Sequence, residues 1–115
     1  NFSTKGMSGT LETVATRDRT TMSRNYVFNA TSECSGVMLK MHSPANGASG
    51  GSIQVFGTKT DTNVYEKIDT VTAVDTDTLV PFSGYDHIKL VVTARHSGNG
   101  GHSYEAGTVT TYTFV

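Results

Sequence analysis

Pro81-Phe82-Ser83-Gly84-Tyr85-Asp86-His87-Ile88-Lys89-Leu90-Val91-Val92-Thr93-Ala94 is the stretch on which the fold turns. Ile88, Leu90, Val92 and Ala94 fall on one side of an extended chain; His87, Lys89, Val91 and Thr93 fall on the other. A period of two marks a strand with one buried face. Ser97-Gly98-Asn99-Gly100-Gly101 follows, and then a second extended run, Thr108 to Val115. The two runs predict a long antiparallel hairpin at the end of the chain, and an all-β fold.

Working back from this stretch, the same pattern recurs in short pieces. Gly36 to His42 alternates, with Val37, Leu39 and Met41 on one face, and Ser52 to Lys59 alternates with Ile53 and Val55 inward. Leu11 to Thr16, Ser23 to Thr31, Val64 to Val74 and the Leu79-Val80 pair complete the set. Ser43 to Gly51 is a loop of small residues, and Asp61-Thr62-Asn63 and Asp75-Thr76-Asp77 are turns. Seven or eight short strands with frequent turns read as an antiparallel β-sandwich, jelly-roll or Greek-key like. No crossover helix is available for a parallel βαβ arrangement. Residues 1 to 10 are small and polar and read as an N-terminal arm, leaving 11 to 115 as a single domain.

Composition fits that reading. The apolar fraction is only 36%, but the chain holds 19 Thr and 12 Val, β-branched residues that suit a pleated, half-exposed surface. The formal net charge is −1 and the basic residues are scattered, so nucleic-acid binding through phosphates has no electrostatic support. No apolar run is long enough to suggest a membrane span. The single cysteine, Cys34, excludes an intrachain disulfide. A small domain with few apolar residues and no disulfide points to stabilisation by neighbours, as in a homo-oligomer or larger assembly.

Catalytic signals are thin. The chain has Ser, His and Asp but no G-x-S-x-G arrangement. Glu33 beside Cys34 would raise a thiol pKa, not activate it. His96 and His102 flank the Gly-rich loop, but two ligands do not make a zinc site. Asp75 and Asp77, near Asp61, Asn63 and Asp69, lack the full calcium-loop pattern and read better as turn-capping residues. No enzyme activity, cofactor or metal site is assigned. Asn1-Phe2-Ser3 and Asn29-Ala30-Thr31 match the N-glycosylation pattern, which arises often by chance in a Thr-rich chain.

Aromatic parity is the main functional hint. Phe56, Tyr65, Tyr104, Tyr112 and Phe114 do not all fit one core. Tyr112 and Phe114 share a face of the last strand, which is either core or an aromatic strip suited to subunit packing or sugar stacking. The strip reading makes Tyr112 and Phe114 interface residues, together with Phe2 and Met7 of the arm. A sugar-binding reading places a glycan rim at His96, Asn99, His102 and Tyr104.

Phe82-Ser83-Gly84-Tyr85-Asp86-His87-Ile88-Lys89-Leu90, a Gly-rich turn, and Gly107-Thr108-Val109-Thr110 near the end resemble the C-terminal half of small β-sandwich virion proteins of tailed bacteriophages. The segment Gly51 to Gly57 is similar in style, so the resemblance spans roughly the last 65 residues. It implies a non-enzymatic structural subunit of the virion, a head-decoration, head-fibre or tail-associated protein present in many copies. Its partners would be other capsid or tail proteins. The same sandwich form serves carbohydrate-binding modules, which keeps glycan recognition as the alternative.

Overall fold

The computed structural model describes residues 3–15, 21–42, 51–59, 62–95 and 106–115. Among them are eight strands and no helix: β1 (Ser8–Ala15), β2 (Thr21–Asn29), β3 (Gly36–His42), β4 (Ser52–Thr58), β5 (Glu66–Val71), β6 (Thr78–Pro81), β7 (His87–Arg95) and β8 (Ala106–Phe114). They form two four-stranded sheets, β1-β8-β3-β6 and β2-β7-β4-β5. Every strand-to-strand ladder is antiparallel.

The pairing has a simple rule. β1 pairs with β8, β2 with β7, β3 with β6 and β4 with β5. The chain is thus one long ribbon, folded back at β4–β5 and rolled into two sheets, which is the jelly-roll form of the sandwich. The sandwich expectation holds, and the ribbon corrects one detail. β7 and β8 are not a hairpin but lie in opposite sheets. β7 presents an alternating face along its length and β8 from Thr108 to Phe114, and the two faces meet across the core instead of lying side by side.

The core follows the alternation. Ile88, Leu90, Val92 and Ala94 of β7 face Val37, Leu39 and Met41 of β3 and the inner face of β8, and all are buried. One end is aromatic. The Phe28 ring centroid lies 4.9 Å from Tyr112 and 5.0 Å from Phe114, and Phe82 lies 6.4 Å from Phe114. The pairs are tilted or edge-on, the geometry that ring quadrupoles favour. Towards the opposite end the inner face of β1 and β8 turns to Thr13, Thr108 and Thr110, all buried.

The N-terminal residues also depart from expectation. β1 begins at Ser8, so the boundary expected after residue 10 falls inside a strand. Ahead of it, the Thr4 N–H donates to the Ala30 carbonyl and the Thr4 hydroxyl to the Asn29 carbonyl. The Gly6 N–H bonds to the Phe114 carbonyl, and the Phe114 N–H to the Met7 carbonyl. Residues 3 to 10 are therefore part of the sandwich; their polar composition hid this, because Thr4 is buried through hydrogen bonds and not through apolar bulk.

Candidate interaction surface

Tyr112 and Phe114, read as interface residues, are both buried, Phe114 completely. Tyr112 lies over Gly9, its register partner on β1, where an added Cβ would come within 2.6 Å of the phenol oxygen. Glycine here leaves room for the ring, which then closes against Phe28. The outward positions of β8 are instead Val109, Thr111 and Thr113, with Val115 just beyond the strand. The aromatic strip on the last strand is thus core. Met7 is exposed, as an interface residue requires. Phe2 and the proposed glycan rim, His96, Asn99, His102 and Tyr104, lie outside the described residues.

Partly exposed aromatics do occur on the outer face of the β2-β7-β4-β5 sheet. Lys89 Nζ lies 5.0 Å from the Phe56 ring centroid and 4.4 Å from that of Tyr65. A cation at this range from two rings is held by their quadrupoles. It also occupies ring surface that a sugar would need. Beside this sheet, Tyr85 Oη donates to Glu66 Oε2 at 2.9 Å. That bond to a carboxylate, with some burial and the carboxylate's charge, pushes the phenol above its ordinary pKa.

On the other sheet, His42 Nδ1 lies 2.6 Å from Asp75 Oδ1, both side chains exposed. Asp75 has a positive φ of 56° and its N–H donates to the Met41 carbonyl, so the pair clips the turn after β5 onto β3. Asp75 thus lies in a turn, as expected, but its carboxylate bonds His42 of β3 where a cap on its own backbone was expected. Among the described residues no group of three or more His, Cys, Asp and Glu is placed to hold a metal. Cys34 is buried, and burial pushes its thiol pKa up, with Lys5 lowering it and Glu33 raising it. Thr31 of the second glycosylation pattern is buried and donates to the Tyr85 carbonyl.

The open edges of the sheets differ. β6 has four residues and ends in Pro81. β5 has six, carries Glu66, Lys67 and Asp69, and shifts register against β4. Short length, charge, proline and bulges are the usual protections of an edge. At β1, Glu12 supplies a charge and its carbonyl is capped by the Tyr26 hydroxyl at 2.8 Å. β2 is the longest of the four, with nine residues, an unbroken register with β7, no proline and one charged side chain, Arg24; β1 shares the last three features over eight residues, but its Glu12 carbonyl is capped. The core-facing positions of β2 are Phe28, Tyr26, Arg24 and Met22, but burial fades along them, and Met22 is 50% exposed. On its other face Val27 is 52% exposed. Sequence reading found β2 as a strand; it missed this edge, because edge position depends on strand order.

The chain matches no protein-family model and no curated protein sequence. No helix among the described residues is long and apolar enough to cross a membrane.

Proposed function

We propose that the chain is a non-enzymatic structural subunit of a tailed-bacteriophage virion, a decoration or tail-associated protein acting through protein–protein contacts. The observation that supports this most is the distribution of exposed apolar side chains. Met7 lies ahead of β1, Leu79 on β6, Met22 and Val27 on β2, and Val64 ahead of β5. They are spread over several sides of the sandwich and not gathered into one cleft. A subunit with several neighbours needs contacts on several sides, whereas a small-molecule site gathers its apolar lining in a cleft. Jelly rolls serve in capsids and in lectins, so the fold itself is neutral between the two readings.

The test is incorporation. A tagged chain produced during phage growth is expected to band with particles at virion density. Tag found wholly in the soluble fraction overturns the reading.

The alternative is a carbohydrate-binding module. The adjacent, partly exposed Phe56 and Tyr65 are its one structural support. A glycan array in which binding is lost on Tyr65→Ala would favour it; an array without hits would remove it.

A further inference from the structure

We infer that β2 is a self-pairing edge, on which a second copy of this chain docks antiparallel about a two-fold axis through Asn25. The inference gives one of the protein–protein contacts of the preceding reading a definite interface, between two copies of the chain, and rests on that reading only for the existence of an assembly.

The first ground is the contrast between edges. Among the described residues, β2 is the longest edge strand; β5 and β6 carry a register shift, several charges or proline, and β1, which like β2 has no proline, no bulge and one charge, is a residue shorter and has its Glu12 carbonyl capped by Tyr26. Among the described residues, the β2 backbone from Thr21 to Phe28 makes no backbone hydrogen bond except to β7. Such a strand is a template for another strand.

The second ground is its own sequence, which selects the occupant. Antiparallel pairing centred on Asn25 sets Thr21 against Asn29 of the second copy, Met22 against Phe28, Ser23 against Val27, and Arg24 against Tyr26. Each pairing occurs twice, as two-fold symmetry requires. Arg24 meets an aromatic ring in both halves, a favourable cation–π partner, and the exposed Met22 meets an aromatic, a favourable sulfur contact. Neighbouring registers fit less well. Centring on Arg24 sets two guanidinium groups directly opposite each other, which is destabilising. Centring on Tyr26 shortens the ladder, because the strand stops at Asn29, before Ala30 turns to a φ of 59°. The register about Asn25 uses all nine residues, and the two sheets join into one of eight strands.

Cysteine cross-linking tests the register. Residues directly opposite in an antiparallel pair have Cα atoms about 4.5–5.5 Å apart, within disulfide range. Asn25 is exposed, so Asn25→Cys is compatible with the fold, and the native Cys34 is buried. Under mild oxidation Asn25→Cys is expected to give a covalent dimer in high yield, and Ser23→Cys alone is not. A mixture of Ser23→Cys and Val27→Cys chains is expected to give the mixed dimer. The wild-type chain reports any background from Cys34, and the mixed pair stands in if Asn25→Cys fails to fold. Absence of cross-linking in both the Asn25→Cys and the mixed experiments overturns the inference, as does equal cross-linking by Ser23→Cys alone. Specific dimers that never enter particles would leave the interface standing and overturn the virion reading instead.

Discussion

Gly57 shows how closely the sheet is packed at the level of single atoms. A Cβ added there would lie 2.6 Å from the Tyr85 ring and 3.0 Å from Ile68. The half-buried Tyr85 ring would have to shift to make room, so Gly57→Ala is expected to lose about 1–3 kcal/mol by overpacking, measured by urea unfolding. Phe114→Ala separates the two readings of the last strand. A buried ring costs about 3–5 kcal/mol to remove, whereas an exposed one typically changes stability by less than about 0.5 kcal/mol. The structure predicts the larger loss. Tyr85 makes a third prediction. Its folded-state pKa is raised, so the folded chain holds the phenol proton more tightly than the unfolded chain does. The stability this supplies is complete below the ordinary tyrosine pKa of about 10 and is lost as pH climbs through the raised value. Glu66→Gln removes the carboxylate, and one tyrosine in the ultraviolet phenolate titration is expected to move back down.

Elements were legible where alternation was strong. β3, β4 and β7 carry buried side chains at every second position, and their expected limits lie within one residue of those observed at most ends. β1 was less legible at its start, since Ser8, Gly9 and Thr10 carry no apolar signal and are held by pairing with Thr113, Tyr112 and Thr111. The lead-in was hidden for the same reason. Its role yields a prediction at this scale. Removing residues 1–7 deletes three backbone bonds to the rest of the sandwich, from Thr4 to Ala30 and between Gly6, Met7 and Phe114, besides the internal Met7 N–H bond to the Thr4 carbonyl. At about 0.5–1.5 kcal/mol each, the truncated chain is expected to be less stable by about 2–4 kcal/mol in denaturant unfolding. Truncation therefore reports on folding, and Met7→Ala is the cleaner probe of contacts at that end. The partners of β7 and β8 were not legible either. Two alternating strands separated by a glycine-rich segment look the same whether they share a sheet or face each other across it.

For the whole molecule, strand number and sandwich architecture followed from the spacing of turns, while strand order did not. Order comes from pairing between distant segments such as β1 and β8, which no local pattern encodes. The candidate surface depends on that order. Met22, Arg24 and Val27 gain their meaning only once β2 is known to be an edge, and Tyr112 and Phe114 lose theirs once their face of β8 is known to be the one turned to the opposite sheet. A chain with a modest core, no disulfide and an unguarded nine-residue edge is expected to associate with its own kind. Sedimentation equilibrium of the purified chain over a wide concentration range tests this most directly. A dimer or larger species that dissociates on dilution is expected; a chain that remains a folded monomer at every concentration would overturn self-association.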